Sequence, residues 1–217
     1  MTGSADPLRA RLTGSALDVA PALLGAVLRH VTPEGPLAVR LTEVEAYAGA
    51  DDPGSHAYRG PTRRNEVMFG PAGHLYVYFT YGMHHCCNVV VGEDGTAAAV
   101  LLRAGEVVEG LDEARTRRPR STDRDLARGP ARLCTTLGID GRHNGADLAA
   151  GDLTLQVQSA PPAAQVVRGP RVGLRHAADH PWRFWLKDEP TVSVYRPAAP
   201  RKPGKPRTAQ PGTMGQA

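Results

Sequence analysis

One segment, residues 37–47, changes from apolar to acidic along its length and constrains the fold more than any other. As a strand it directs alternate side chains to opposite faces. One face carries Val39, Leu41, Glu43, Glu45 and Tyr47. A strand that starts in an apolar core would therefore end where carboxylates lie beside an aromatic ring. Taken alone, the pattern is also typical of a half-exposed strand with solvated carboxylates.

Aromatic rings, an amide and several guanidinium groups follow this strand, up to residue 103. In order they are His56, Arg59, Arg63, Arg64, Tyr76, Tyr78, Tyr81, Asn88 and Arg103. A carboxylate can activate water, aromatic rings can stack on a base, and guanidinium groups bind phosphates in a bidentate manner. The set favours a site that attacks a stacked base held on a phosphate backbone.

A series of motifs runs in order from about residue 17 to residue 196. They are Glu43-Val-Glu-Ala-Tyr47, Asp52-Pro-Gly-Ser-His56-Ala-Tyr-Arg-Gly60, Arg64-Asn65, Met68-Phe69, Leu75-Tyr-Val-Tyr78, Tyr81-Gly-Met83, Asn88, Val100-Leu-Leu-Arg103-Ala104, Gly129-Pro-Ala-Arg-Leu-Cys134, Arg171-Val-Gly-Leu-Arg-His176 and Thr191-Val-Ser-Val194. This series resembles the alkyladenine (3-methyladenine) DNA glycosylase family. Ordered motifs in series are far more specific than one short motif.

The resemblance implies a role for each residue of a catalytic site. Glu45 would take a proton from the water that attacks C1′, and Arg103 would hold that water with it. The residues that match the family's base pocket are Tyr47, His56, Tyr78 and Asn88, and Asn88 would reject guanine by crowding its 2-amino group. Electron-rich rings attract electron-poor alkylated purines, as in cation–π contacts. The partner implied is double-stranded DNA containing damaged purines.

The chain departs from the family pattern at three positions. His85 replaces a bulky aromatic residue, Cys87 replaces an apolar one, and Arg63 replaces a common proline. These differences bear on lesion preference and on the stiffness of the loop, and leave the reaction unchanged.

An antiparallel meander of three strands is predicted over residues 75–81, 86–91 and 97–104, with turns at 82–85 and 94–95. Tyr81 lies at the lip of the first hairpin, in a polar turn where burial is not expected. An exposed side chain at a hairpin tip suits a wedge that enters a duplex. The resemblance implies that Tyr81 fills the gap left by the flipped nucleotide, and we place Met83 beside it.

The remaining elements complete a mixed pattern. Asp18 can cap a helix that continues through about residue 29, and a short helix is expected over residues 128–138. Further strands are predicted at residues 152–157 and 191–195. The fold class is therefore α+β, a single mixed domain around a curved antiparallel sheet with a protruding β-hairpin.

Three regions are expected along the chain. Residues 1–15 are predicted to be a flexible N-terminus and residues 16–197 to form the DNA glycosylase domain. Residues 198–217 are rich in proline and glycine and read as a disordered basic tail. The 217 residues and 41% hydrophobic content suit one ordinary globular domain.

Composition also bears on the compartment. Three cysteines, an odd number, argue against a disulfide framework and for a reducing compartment. The apolar stretch at residues 19–28 is too short to span a membrane, and no secretory signal is visible. A cytoplasmic monomer that associates with the nucleoid through DNA is expected.

The net charge of +4 arises from the last twenty residues, which carry four cations and no acid. Seven arginines lie between residues 115 and 132, and a smaller group surrounds residue 64. From these clusters we predict DNA-backbone contacts by Arg59, Arg64, Arg118 and Arg132. Arginine outnumbers lysine 23 to 3, which fits phosphate binding and codon bias in a high-GC genome equally well.

The reaction class follows from what lies near the predicted site. The three lysines are Lys187, Lys202 and Lys205, so hydrolysis is favoured over a Schiff-base lyase. Glu43 could raise the pKa of Glu45 by repulsion, but a structural or hydrogen-bonding role is favoured.

No metal site and no cofactor is expected. The run His84-His85-Cys86-Cys87 suggests zinc, but neighbouring strand residues point to opposite faces and cannot close one tetrahedral site.

Three functions are compatible with the sequence. The first is a monofunctional DNA glycosylase that flips alkylated or deaminated purines from duplex DNA, hydrolyses the N-glycosidic bond and leaves an abasic site. The second is a non-catalytic nucleic-acid-binding module related to a tRNA-binding formyltransferase domain, which would have no use for Glu45 facing phosphates. The third is a nucleoside hydrolase, which would need neither the Tyr81 wedge nor the arginine cluster.

Overall fold

The structure, a computed structural model, describes residues 6–80 and 82–199. Its helices are α1 (Pro7–Leu12), α2 (Ala16–Ala22), α3 (Leu111–Arg117) and α4 (Pro130–Leu137), and its strands are β1 (Val27–Thr32), β2 (Gly35–Tyr47), β3 (Leu75–Thr80), β4 (His84–Val90), β5 (Ala99–Glu109), β6 (Leu153–Gln156), β7 (Val166–Gly169) and β8 (Arg183–Leu186). The strands pair antiparallel in one sheet with the order β3-β4-β5-β2-β1-β6, to which β8 and β7 are added beside β2. The predicted α+β class is confirmed.

Strand β2 is the central element because it changes its neighbour along its length. Residues 35–40 pair with β1 and residues 43–45 pair with β8, while β5 follows the other edge. Register shifts interrupt the β2–β5 ladder on both sides of Glu43. Such bulges re-aim side chains, and here they occur where the apolar half of the strand gives way to the carboxylates.

Both carboxylates of β2 lie inside the molecule. Glu43 and Glu45 have 0% exposure, so the half-exposed, solvated strand is excluded. The main hydrophobic core packs helices α2 and α4 against the sheet, and a smaller cluster forms around Met68, Tyr76 and Val90. The carboxylates therefore belong to a built interior site.

The meander predicted from residue 75 onward is confirmed as β3, β4 and β5. Strand β5 continues to Glu109, beyond the predicted end at residue 104. Helix α4 also agrees with the prediction, with Pro130 at its first position and Gly138 in the left-handed conformation at its end. The strand predicted at residues 152–157 is confirmed as β6, which is shorter by one residue at each end (Leu153–Gln156).

The helix predicted from Asp18 to about residue 29 is wrong in its second half. Helix α2 begins after Ser15, whose hydroxyl accepts from the Asp18 N–H, and ends at Ala22. Gly25 then adopts a φ of +82° and donates its N–H to the Leu41 carbonyl at 2.8 Å. This turn starts β1, so Leu28 faces the core from a strand and Val27 is half-buried on the opposite side.

Part of the segment predicted to be a flexible N-terminus is described by the structure. Residues 7–12 form α1, whose start is capped by the Asp6 carboxylate, and Leu12 is fully buried. Residues 1–5 and the predicted tail from residue 200 lie outside the described residues. The domain boundaries therefore stay predictions.

The predicted strand at residues 191–195 is absent, and β7 and β8 were missed. The backbone N–H of Ser193 donates to Glu43 Oε2 at 2.6 Å instead of to a neighbouring strand. The Thr191 and Thr42 hydroxyls share a hydrogen bond at 2.9 Å. Contacts with side chains on β2 thus take the place of backbone pairing with a neighbouring strand. Among the described helices, none is long and apolar enough to cross a membrane.

Candidate active site

A pocket of about 440 Å³ opens where β2, β3, β4 and β5 meet the start of α4. All six residues predicted for catalysis and base binding line it: Glu45, Tyr47, His56, Tyr78, Asn88 and Arg103. Strand alternation explains part of this, because Tyr76, Tyr78, Cys86 and Asn88 face the pocket while their neighbours Val77 and Cys87 enter the core. The sheet therefore brings side chains from positions as far apart as 45 and 103 to one site.

Glu45 lies at the floor with both carboxylate oxygens engaged. Oε1 accepts from the backbone N–H of Val172 at 2.7 Å, and Oε2 accepts from the Tyr47 hydroxyl at 2.9 Å. Arg103 Nη1 lies 3.4 Å from Oε1. A carboxylate oxygen can accept more than one hydrogen bond, so each oxygen keeps capacity for a water molecule. The group is buried, oriented and opposite a cation.

Glu43 and Arg103 support this floor from behind. Arg103 Nε donates to Glu43 Oε1 at 2.9 Å, and Arg183 Nε forms an ion pair with the same oxygen at 2.9 Å. Ser193 donates its N–H and its hydroxyl to Glu43. Although burial opposes it, the charges of Glu45 and Glu43 raise the pKa of Arg103, which stays cationic. This arrangement fits the structural and hydrogen-bonding role favoured for Glu43.

The walls of the pocket are aromatic. The rings of Tyr76 and Tyr78 lie 5.6 Å apart and are tilted by 31°, and the His56 ring meets Tyr78 edge-on at 4.6 Å. Burial, and then the charge of Glu45, raises the pKa of Tyr47, while burial raises that of Tyr78, so both hydroxyls stay protonated. Partial burial of the ring, and then the charge of Arg64, lower the pKa of His56, which favours the neutral form although part of the residue is exposed.

Asn88 and Cys86 complete the β4 wall. Asn88 is buried and its amide nitrogen donates to the Tyr76 carbonyl at 3.1 Å, which holds the side chain in one orientation. Burial raises the pKa of Cys86 to about 11, so this thiol is protonated at neutral pH. The β4 wall therefore presents neutral groups to the pocket.

The tip of the β3–β4 hairpin, where the duplex wedge is predicted, lies beside the mouth of the pocket. Tyr81 itself is outside the described residues. Met83 is 68% exposed, and Phe79 is 51% exposed on the outer face. Thr80 and His84, which flank the turn, line the pocket. The hairpin thus joins the pocket to the surface.

The predicted phosphate-binding arginines differ in how free they are. Arg59, Arg64 and Arg132 are exposed, and Arg64 also donates to the Phe79 carbonyl with its guanidinium 5.8 Å from the Tyr78 ring centre. Arg118 is half-buried and donates to the carbonyls of Asp125 and Leu126. Its guanidinium is thus partly used within the protein.

Other arginines of the 115–132 cluster are engaged in ion pairs. Arg115 pairs with Asp112 and Asp123, and Arg128 pairs with Asp125. Arg117, on α3, pairs with Glu34 and Glu113. The cluster is less available for DNA than its sequence suggests.

Three contributors to the site were given no role in the prediction from the sequence. Tyr76 forms a wall and its hydroxyl lies 3.1 Å from His56 Nδ1. Val172 supplies the N–H that holds Glu45, and Leu174 closes the same side. Strand alternation places Tyr76 on the same face as Tyr78, which is the signal for its position in the pocket. A backbone N–H contributed from 127 residues away leaves no signal in residue type.

The His84–Cys87 run divides as strand geometry requires. Cys86 faces the pocket, whereas Cys87 lies in the core beside the buried Cys134. Over residues 6–80 and 82–199, no group of three or more histidine, cysteine or acidic side chains is close enough to hold a metal ion.

The comparisons with known proteins agree with this geometry. Residues 10–190 match the model of the methylpurine-DNA glycosylase (MPG) family. A relative from Streptomyces avermitilis is 58% identical over 191 residues, which cover 86% of this chain and 90% of the relative. A relative from Leifsonia xyli is 54% identical over 201 residues, covering 88% and 93%. Both are provisionally named 3-methyladenine DNA glycosylase.

The match extends over nearly the whole described domain. It includes β2 with Glu45, the β3–β4 hairpin, Arg103 on β5 and the segment around Val172. The resemblance drawn from the ordered motifs is confirmed, and with it the expectation of a hydrolase that acts in base-excision repair. The chain belongs to the methylpurine-DNA glycosylase family.

Proposed function

We propose that the protein flips alkylated or deaminated purines out of duplex DNA and hydrolyses their N-glycosidic bond, leaving an abasic site. The observation that carries the proposal is the floor of the pocket, where the Glu45 carboxylate has 0% exposure and lies between Val172 N–H, Tyr47 hydroxyl and Arg103. A buried, oriented carboxylate beneath aromatic walls is suited to activating water next to a stacked base. The glycosidic carbon is unreachable inside a duplex, so the nucleotide must leave the stack.

Glu45 has two tasks in this reaction. It accepts a proton from the water that attacks C1′, and its negative charge stabilises the positive charge that develops on the sugar. Arg103 lies 3.4 Å from Glu45 Oε1 and would hold the water from the other side. Such general-base assistance contributes about 10²- to 10⁴-fold in rate.

The leaving group decides how much further help is needed. A purine alkylated at N3 or N7 is already cationic and departs as a neutral base. A neutral purine such as hypoxanthine needs a proton, which a water molecule at the mouth of the pocket can supply. None of the described residues that line the pocket is a lysine, which supports direct hydrolysis over a Schiff base.

The pocket walls support selection of damaged bases. Tyr47, Tyr78 and His56 offer aromatic faces and edges to a flipped purine. The family resemblance assigns guanine rejection to Asn88, whose orientation is held by the Tyr76 carbonyl. The six predicted pocket residues all come from one chain, which supports action as a monomer, and a DNA substrate supports a place in the cytoplasm at the nucleoid.

The two other candidate functions, a nucleic-acid-binding module and a nucleoside hydrolase, explain the floor of the pocket and its mouth less well. A binding module gains nothing from a carboxylate buried under the place where a phosphate-bearing strand would lie. A nucleoside hydrolase would not require the exposed hairpin tip at Met83 next to the pocket.

A panel of defined lesions tests the proposal. The protein is incubated in excess with duplexes that each carry one 3-methyladenine, 7-methylguanine, hypoxanthine or ethenoadenine, and alkali then cleaves any abasic site. We expect strand breaks at the lesion with at least one duplex, and none in an undamaged duplex. Free nucleosides serve as the control for a nucleoside hydrolase. Binding without breaks on every lesion would contradict the proposal and favour the binding module.

A further inference from the structure

Arg171 is a fully buried arginine directly behind the pocket. Its side chain has 0% exposure and its guanidinium forms a bidentate pair with the Asp52 carboxylate, including Nη2 to Oδ1 at 2.7 Å. Nη1 also donates to the Ala46 carbonyl at 2.9 Å. The guanidinium lies against two rings, with its centre 4.6 Å from that of Tyr47 and 4.9 Å from that of Trp182. Four neighbouring residues therefore hold the Arg171 side chain in place.

Two contacts of Arg171, with Ala46 and Tyr47, and its ion pair with Asp52 lead to different parts of the pocket. Ala46 lies between Glu45 and Tyr47 on β2, and the Tyr47 ring packs directly on the guanidinium. Asp52 begins the loop of residues 52–60 that carries His56, and it accepts the N–H groups of Ala48 and Gly54. The residue after Arg171, Val172, donates its N–H to Glu45. Arg171 thus links the segment that holds Glu45, the Tyr47 wall of the pocket and the loop of residues 52–60.

Stability alone does not explain an ion pair in this place. The desolvation of two buried charges offsets much of their attraction, and apolar replacements are often as stable. Within the described residues, Arg171 Nε is buried without a hydrogen-bond partner, which is a further cost. An apolar pair in the same place would lose directional hydrogen bonds, because only the planar guanidinium group can hold several partners at fixed angles at once.

The loop is shaped to approach this arginine closely. A Cβ atom added to Gly54 would lie 2.8 Å from Arg171 Nη2 and 2.9 Å from Leu174 Cδ1. Real side chains essentially never approach so closely, so an alanine at this position must displace the loop or the guanidinium. The absence of a side chain at Gly54 lets the loop close over Arg171.

We propose, on the basis of the function proposed above, that Arg171 is a positioning residue for the hydrolytic step. It fixes Val172, Tyr47 and the loop of residues 52–60 relative to one another. The Glu45 carboxylate is then held at the angle from which it activates water beneath the base. Misplacement of a reacting group by about 1 Å can cost about a hundredfold in rate.

The first test is Arg171→Lys, which keeps a cation opposite Asp52 but lacks the planar fork. We measure excision with protein in excess and record the rate at saturation and the concentration for half-maximal rate. The saturating rate should fall by about tenfold to a hundredfold, with a smaller change in half-saturation. A purely structural role would reduce the folded fraction and raise half-saturation, but leave the saturating rate unchanged. Arg117→Lys, which alters a largely buried paired arginine on α3, is the matched control.

The second test keeps the ion pair and moves the loop. Gly54→Ala should also lower the saturating rate, whereas Gly70→Ala, whose new Cβ meets only an ordinary contact at 3.5 Å, should not. If Arg171→Lys does not fold, Gly54→Ala decides alone. A saturating rate within twofold of wild type for the folded variant would overturn the positioning role. Wild-type protein that excises no lesion would instead overturn the proposed function, so the two failures are distinguishable.

Discussion

The floor and the rim of the pocket are built on opposite principles. At the floor, Glu43, Glu45 and Arg103 are at most 6% exposed and are joined by ion pairs and hydrogen bonds. At the rim, Met83 is 68% exposed, and His56 and Arg64 are also exposed. Charges fixed in advance and shielded from water stabilise a transition state most strongly. We infer that the floor determines the rate and that the rim determines which DNA enters.

Glu45→Gln should have the largest effect on the rate. The amide keeps the size of the side chain but cannot take a proton from water, so excision should fall by about 10²- to 10⁴-fold. Binding of a lesion duplex should survive, because the aromatic walls and the rim are unchanged. Single-turnover excision and a binding assay on the same duplex measure the two quantities separately. A variant that keeps more than a tenth of the wild-type rate would show that Glu45 is not the base.

Glu43→Gln should separate stability from chemistry within the floor. Glu43 faces Arg103 and Arg183, and loss of its charge leaves buried cations less compensated. Breaking a buried pair by removing one partner costs about 3–5 kcal/mol, which should appear in the free energy of unfolding from denaturant titration. Glu45→Gln is the matched control. It should change the free energy of unfolding by less, because Arg103 keeps its ion pair with Glu43. Equal destabilisation by both variants would mean that the two carboxylates share one role.

The sequence predicted the floor better than it predicted the surrounding chain. Alternation alone placed Glu43 and Glu45 on the polar end of a strand, and the shared face of Tyr76 and Tyr78 followed from the same rule. The resemblance then supplied the roles of Tyr47, His56, Asn88 and Arg103, which the fold places around one pocket. What it could not supply is the contact of Glu45 with a backbone N–H of a distant segment.

The errors in the fold have local physical causes. Val27 and Leu28 fit a helix face and a buried strand equally well, and the left-handed turn at Gly25 decides between them. The segment at 191–195 has the composition of a strand, but Glu43 takes the Ser193 N–H. Competition between a buried carboxylate and a β-ladder depends on tertiary neighbours, so a local pattern does not reveal it.

Tyr81→Ser should sharpen the contrast at the rim. If Tyr81 is the wedge, its loss removes the side chain that offsets an unstacking cost of a few kcal/mol. Excision should slow more for a well-paired lesion than for the same lesion in a mismatch, where pairing is already lost. The ratio of the two rates, measured at subsaturating protein, is the readout. An equal effect on both duplexes would remove Tyr81 from that role.

Arg64→Ala should have the smallest effect and should fall on binding. Its guanidinium is exposed at the rim near the Tyr78 ring. If it contacts a phosphate, loss of that contact should weaken binding of damaged and undamaged duplexes alike. The slope of log affinity against log salt should fall by at most about 0.9, the value for one neutralised phosphate. Removal of this charge should also let the pKa of His56 rise, since burial and Arg64 both lower it. An NMR titration of His56 follows that shift.

The control for Arg64→Ala is Arg11→Ala, which removes an exposed cation from α1, outside the residues that line the pocket. Both variants lower the net charge by one, so a long-range effect of charge would change the salt slope equally in each. A contact at the rim would change it only for Arg64→Ala. A different result, in which Arg64→Ala leaves affinity intact but lowers the saturating excision rate tenfold, would show that Arg64 orders Tyr78 and His56. Arg64 would then belong with the floor, and the division between binding at the rim and chemistry at the floor would have to be redrawn.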